Sequence, residues 1–372
     1  MKILFDDHKR AIGVVYKRQG VVRTLLAKKE VILSAGAIGS PQLLLLSGVG
    51  PVKHLKEKDI ALIADLPGVG RNLHNHISVS VPLAFKALRS YDSLNIRTLL
   101  DFLMKRKGVL TSTGMSQVTG FAHLNDSNIN DDQPDTQFFF EGFITNCSTG
   151  SNIMTDTNGE QRIIRVIPTM LKPRSRGFVE LASKDPFANP RIVSNYLTEM
   201  DDLELLLKGI RFIQKLTDTE ALRREGVELL YGYVNHTAQP CQTLPVDSDN
   251  YWRCVIRHTT NPENHQVATC SMGADTDGMA VVTDKLEVRR VQNLRVMDAS
   301  IFPFVLSGNI NAPVIMAAEK GADLVKEHWL GTTAPDSIGS QFTPSGIFHS
   351  LFSSNPLKGT FIPFLPYLSF DY

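Results

Sequence analysis

The sequence predicts a mixed fold, part α/β and part α+β. A parallel sheet with helices is built from both ends of the chain, and an antiparallel sheet covered by helices fills the middle. Three observations predict it. Residues 30–50, EVILSAGAIGSPQLLLLSGVG, read as strand, small-residue turn and helix, the repeating unit of a parallel sheet. From Ile77 the texture changes to alternating strands and then an amphipathic helix, the pattern of an antiparallel sheet with helices on one face. After residue 280 come AVVTDKLEV, LRVMDAS and a long helical pattern. The chain therefore leaves one domain, builds a second, and returns to the first.

The elements follow in order. Residues 2–5, 12–17 and 20–26 read as short strands joined by turns. Val31, Ile32 and Leu33 make a buried-strand run, and Ser34-Ala35-Gly36-Ala37 turns the chain. Ser40-Pro41 reads as an N-cap followed by proline at the first helical position, opening a leucine-rich helix that Gly48 can end. Small residues at such a turn admit either a ligand close to the backbone or tight packing of helix on sheet. Ile77, Val79, Val81, Leu83 and Phe85 alternate with small or polar residues, the mark of a half-buried strand. Strand-like pieces recur at 116–124, 136–144 and 162–170, and 174–183 reads as a turn into another strand. Leu203, Leu206, Leu207, Ile210 and Ile213 mark an amphipathic helix. In SGNINAPVIMAAEKGADLV, residues 307–325, Val314, Ile315, Ala318, Ala322 and Val325 recur at helical spacing, with Pro313 in the first turn.

Composition bounds the function. The chain has 372 residues, 42% hydrophobic and 21% charged, enough for two globular domains. A net charge of +1 offers no attraction to nucleic acid or to an anionic membrane. No apolar run approaches the roughly 18 residues of a membrane span. The opening MKILFDDHKR reads as no signal peptide, because acidic residues follow at once. Cys147, Cys241, Cys254 and Cys270 show no C-x-x-C spacing, which argues against zinc, and no metal site is expected. Three of them cluster between 241 and 270, so they allow one disulfide or stand as buried free thiols. Asn125-Asp126-Ser127, Asn146-Cys147-Ser148 and Asn235-His236-Thr237 fit the glycosylation triplet.

Seven segments then fall in an informative order. They are EVILSAGAIGSPQLLLLSGVGP, LPGVGRNLHNH, PRSRGFVELASKDPFANPRI, SDNYWRC, NHQVATCSMG, LRVMDASIFP and SGNINAPVIMAAEKGADLV. Together they resemble the glucose–methanol–choline (GMC) family of FAD-dependent oxidoreductases, over about residues 1–328. The SDNYWRC stretch resembles its insect glucose-dehydrogenase branch, and the family also includes choline dehydrogenases.

The resemblance implies an FAD cofactor and oxidation of a CH–OH group in a small alcohol or sugar. It implies a truncated FAD-binding domain from 1–76 and 284–330 and a substrate-binding domain from 77–283. It implies that the helix opening near Asn311 points its N-terminus at the pyrimidine side of the flavin, where reduction leaves negative charge. Ala35 and Gly36, Asp298 and Ala299, and Asn309 and Ala312 then lie along the cofactor. The base for the alcohol proton is His265, and its partner falls on Asn311. The full-length homologue is implied to be secreted, and the electron acceptor stays open.

Departures accompany the resemblance. The family's Tyr-His-Pro-Val-Gly-Thr reads Asn264-His265-Gln266-Val267-Ala268-Thr269, and its Gln-Asp-His reads His74-Asn75-His76. The opening strand, G-x-G-x-x-G loop and ribose-binding acid are not found, so that about a third of a family member is expected to be missing. The tail 331–372 resembles nothing in the family and reads as a loose tail or a wrong exon. A second reading therefore stands beside the enzyme: a flavin-free, inactive binding or vestigial protein.

Overall fold

The computed structural model describes residues 1–89, 95–111, 118–125, 133–142 and 161–331. The tail from 332 on, Asp126 and Ser127, and the triplet Asn146-Cys147-Ser148 lie outside these residues. So do the edges of the strand-like pieces at 116–124 and 136–144. Two compact units divide the chain, Met1–Gly321 and Ala322–Tyr372. All the described strands belong to the first.

β1 (Lys2–Phe5), β2 (Ala11–Arg18) and β3 (Val21–Leu26) form an antiparallel meander. Gln19 and Gly20 both take positive φ, 51° and 79°, as a two-residue type I′ hairpin requires. β4 (Val31–Leu33) then runs into α1 (Gly36–Leu46).

This helix starts earlier than Ser40-Pro41 suggests. Its N-cap is Ala35, so both residues sit inside the helix. The cost of an internal proline is a carbonyl left without its N–H partner four residues on. Here the orphan is the Ala37 carbonyl, and the Thr269 hydroxyl donates to it at 2.5 Å. Ser40 is not a cap because its hydroxyl is engaged elsewhere, with Asp298. At the other end Gly48 takes φ 85° just past the Ser47 cap, as expected.

β5 (Val49–Gly50), α2 (Val52–Glu57) and β6 (Ala64–Asp65) follow, with β5 and β6 parallel. β7 (Ile77–Ser78) and β8 (Val81–Arg89) open the large sheet. After α3 (Ile96–Lys105), β9 (Val118–Ala122), β10 (Thr136–Glu141) and β11 (Gln161–Met170) continue it. β12 (Phe178–Glu180) and β13 (Arg191–Val193) pair as a hairpin. α4 (Met200–Thr217), α5 (Glu220–Arg224), β14 (Val227–Leu229), α6 (Tyr231–Thr237), α7 (Asp249–Thr259) and β15 (Asn261–Pro262) follow. β16 (Leu294–Val296) lies parallel to β4, Leu294 opposite Val31 and Val296 opposite Leu33. α8 (Asn311–Leu330) is the last described helix.

The large sheet runs β14-β8-β11-β10-β9 in antiparallel order, with β7 beside β11 and β15 beside β7. One face is apolar. Val81, Leu83, Phe138, Val166 and Met170 meet Leu203, Leu206, Ile210 and Ile213 of α4 and Trp252, Val255 and Ile256 of α7 in one core. Each such aliphatic side chain contributes roughly 1.5–3 kcal/mol by leaving water. α4 reaches β11 closely because Gly209 has no Cβ; one built there would lie 2.8 Å from Pro168 Cβ. The strand expected to be half-buried at 77–85 is buried on both faces. Its second face is polar rather than wet: Ser78, Gln137, Glu141 and Thr169 are all buried there. That polar face leads to the site.

Candidate active site

The site is assembled where three loops meet. Residues 72–76 lie under the segment 303–306 and hold it from below. Asn72 Nδ2 donates to the Pro303 carbonyl at 2.9 Å. The Val305 N–H donates to His74 Nδ1 at 3.2 Å, and His74 Nε2 lies 2.9 Å from Asn72 Oδ1. His76 Nε2 meets the Leu306 carbonyl at 2.9 Å. These bonds fix the chain entering α8. The third loop carries His265, whose backbone N–H donates to Asn75 Oδ1 at 2.8 Å while Asn75 Nδ2 donates to the Tyr196 hydroxyl at 2.9 Å.

Two histidine rings face each other edge to face, centroids 5.0 Å apart and planes at 88°. His76 Nδ1 and His265 Nδ1 are 2.9 Å apart, in hydrogen-bond contact. The far nitrogen of His265, Nε2, lies 3.4 Å from Asn309 Nδ2. Asn309 Oδ1 in turn accepts from Gln137 Nε2 at 3.4 Å, and the same amide donates to Thr119 Oγ1 at 3.1 Å. Beside this line Ser78 donates a short hydrogen bond to Glu263.

Burial sets the charge state. His76 is held down to about 4, first by burial and then by the charge of His265, against the pull of the Leu306 and Leu171 carbonyls. Burial also pushes His265 below its ordinary value. Both rings are therefore neutral near pH 7. Burial pushes the Glu263 carboxyl up, and the Ser78 bond works against it.

The expected cofactor residues gather around the turn before α1 and the start of α8. Asp298 is buried, and its carboxylate is spent inside the protein. It accepts from the Gly36 N–H at 3.0 Å, the Ser40 hydroxyl at 2.5 Å, and the Ser300 N–H and hydroxyl at 2.8 and 2.5 Å. It thereby ties Ala299 and its neighbours to the turn at Ala35-Gly36. A Cβ built on Gly36 or on Gly308 meets nothing within 4 Å, so open space lies before both. Ala35, Asn309, Asn311 and Ala312 are exposed. Asn311 is the first helical residue, and the structure brings Asn309 rather than Asn311 against His265. Sequence reasoning missed His76 and Gln137 as members of the cluster; His76 stood in plain view in NLHNH, but Gln137 carried no local signal.

Cys241 and Cys254 form a disulfide, Cα atoms 5.7 Å apart, which resolves the alternatives left open by the spacing. His258 completes a Cys-Cys-His group within 4.8 Å, but both sulfurs are spent in the bridge. Cys270 is a buried free thiol.

A parallel pair joining distant parts of the chain and an antiparallel sheet with one polar face make a mixed α/β fold, with a histidine close to the N-terminus of its last described helix. Residues 1–78 and 173–318 match the GMC oxidoreductase family, and the chain belongs to that family. It is 42% identical over 330 residues to the "Glucose dehydrogenase [FAD, quinone]" of Drosophila melanogaster, covering 88% of this chain and 52% of that protein. It is 36% identical over 335 residues to the "Oxygen-dependent choline dehydrogenase" of Burkholderia pseudomallei, covering 88% and 55%. Among solved structures, formate oxidase superposes with a TM-score of 0.73 at 25% identity, over 89% of this chain and 60% of that one. The chain thus spans about half the length of the curated relatives it matches.

Proposed function

We propose that this chain carries the catalytic part of an FAD-dependent oxidoreductase that oxidises a CH–OH group of an alcohol or sugar, with His265 as the base. The observation that carries this reading is the placement of His265 Nε2 beside Asn309, just ahead of the N-terminus of α8. A neutral imidazole is ready to take the alcohol proton, because burial keeps its pKa down. Asn309 sits where an amide can hold the substrate oxygen, the role that the resemblance implies for Asn311.

The residues present fit the ring end of FAD. The open space before Gly36 and Gly308 admits a planar group against backbone. The first turn of α8 offers partly positive N–H groups to an electron-rich ring edge. Ala35, Gly36, Asp298, Ala299, Asn309 and Ala312 would line it, Asp298 through its backbone since its carboxylate is occupied. When bound, FAD supplies the acceptor for the hydride leaving the carbinol carbon. His265 accepts the hydroxyl proton at Nε2, and Asn309 orients the oxygen.

We further propose that 1–76 with 284–330 form the cofactor domain and 77–283 the substrate domain. The disulfide favours an oxidising compartment, in line with secretion of the full-length protein.

The test is anaerobic titration of the FAD-loaded full-length protein with sugars and primary alcohols, since these 372 residues alone are expected to show little or no turnover. Bleaching of the flavin band is expected, and His265→Gln should slow it by roughly 10²–10⁴-fold while leaving flavin bound. Protein that retains no flavin would favour the flavin-free reading instead.

A further inference from the structure

We propose that His76 is a positioning residue: it fixes the tautomer of His265 so that Nε2, the nitrogen facing Asn309, stays unprotonated and available. This rests on the reading of His265 as the base.

The argument runs along one line of hydrogen bonds. A backbone carbonyl can only accept. His76 Nε2, 2.9 Å from the Leu306 carbonyl, must therefore carry a proton and donate it. His76 is neutral, held down to about 4 by burial, so it has one ring proton; of the two carbonyls that act on the ring, Leu306 and Leu171, Leu306 is the one at hydrogen-bond distance, so the proton sits on Nε2 and Nδ1 is bare. That bare nitrogen lies 2.9 Å from His265 Nδ1. Two lone pairs at this distance repel, so His265 must place its own proton on Nδ1 and donate to His76. A neutral His265 then has nothing left for Nε2, which becomes an acceptor. The opposite end of the line requires the same state. Gln137 donates to Asn309 Oδ1, which turns the Asn309 amide nitrogen toward His265 Nε2 as a donor.

The alternative arrangement reverses every proton. It would set a lone pair of His76 Nε2 against the Leu306 oxygen at 2.9 Å. His76 is 0% exposed, so no water is at hand to relieve that repulsion. When His265 takes the substrate proton at Nε2, its Nδ1–H still donates to His76. The positive ring so formed keeps a hydrogen bond to a neutral neighbour, and no proton leaves toward His76.

The sequence context supports a dedicated role. Asn75, the residue before His76, binds the His265 backbone, so one short segment holds both the main chain and the ring of that histidine.

Long-range ¹H–¹⁵N correlation spectra of the ¹⁵N-histidine-labelled chain read the tautomer directly, without flavin or turnover. His265→Gln assigns the signals by their loss. The wild-type chain should show His265 protonated at Nδ1. His76→Leu, which removes the acceptor, should convert His265 to the Nε2-protonated form or to a mixture. His76→Asn, whose amide oxygen can stand where Nδ1 stood, should restore the Nδ1–H form. Circular dichroism confirms folding of each variant, and the wild-type spectrum alone decides if His76→Leu fails to fold. An Nε2-protonated His265 in the wild type overturns the proposal, and so does an unchanged spectrum in folded His76→Leu. Because no flavin is involved, the tautomer result stands or falls apart from the oxidoreductase reading: Nδ1-protonated His265 in a chain that never oxidises an alcohol would leave His76 in its role and remove the function.

Discussion

At the scale of single residues, the sequence made some roles legible and hid others for a plain reason. His265 was recognisable because its neighbours NHQVATC keep a pattern that does not depend on distant contacts. Gln137 was not, because its role arises only when β10 lies beside the loop before α8. Asp298 lies against the turn at Gly36, and its charge serves the protein itself. Its carboxylate accepts from four donors, two of them backbone N–H groups with no other partner among the described residues. Removing it takes that acceptor away from all four. Asp298→Ala should therefore cost about 2–4 kcal/mol in urea unfolding. Asp298→Asn should cost nearly as much, because its amide turns N–H toward N–H. A loss below about 1 kcal/mol for Asp298→Ala would show that the network does not hold α1 to the segment after β16.

Among elements, the helices were read best where one face is apolar. α4 was legible from five residues, all now buried against the sheet. The start of α1 was misread, because a Ser-Pro pair looks like a cap until Thr269 supplies the missing hydrogen bond from more than two hundred residues away. The double burial of β7 and β8 was hidden too, since small and polar residues on one face look solvent-facing in sequence. The cysteine spacing left two readings open, and the structure chose the bridge. That disulfide ties α7 to the turn at Cys241 across a separation of 13 residues. Closing a loop of that size stabilises by roughly 3 kcal/mol, mainly by restricting the unfolded chain. Cys254→Ser, or reduction under mild dithiol, should lower the unfolding free energy by about that amount. Since α7 supplies Tyr251, Trp252, Val255 and Ile256 to the core, tryptophan fluorescence should report the loss directly. Equal stability with and without reductant would mean that core packing alone fixes α7.

Across the whole molecule, the folding pattern places neutral histidines at the centre of the fold, and this sets its response to acid. His74 is pushed down to about 3 by burial and then by the Arg176 charge, and His76 to about 4 by burial and then by His265. Burial lowers His265 and His54 as well. In the unfolded chain each of these rings takes up a proton near pH 6.5. The native fold refuses that proton until a much lower pH. Below about pH 6.5 the unfolded state thus binds more protons than the native state, and unfolding becomes easier as pH falls. The contribution is complete above the unfolded pKa and lost progressively down to about 3, where even His74 is charged in the fold. Glu263 acts in the other direction: burial raises its pKa, so acid favours its native form. One carboxyl cannot offset two deeply buried rings. Each ring contributes about 1.4 kcal/mol per pH unit in this window, so His74 and His76 together should remove about 2–4 kcal/mol between pH 6.5 and 5. Urea midpoints measured between about pH 5 and 7.5 should rise with pH and flatten above neutrality. His74→Gln keeps a polar side chain but does not titrate, so it should be less stable at neutral pH and show a shallower slope. A midpoint that stays constant from about pH 5 to 7.5 would mean that the buried histidines take up protons as readily in the native fold as in the unfolded chain, and the lowered pKa values of His74 and His76 would fall with that result.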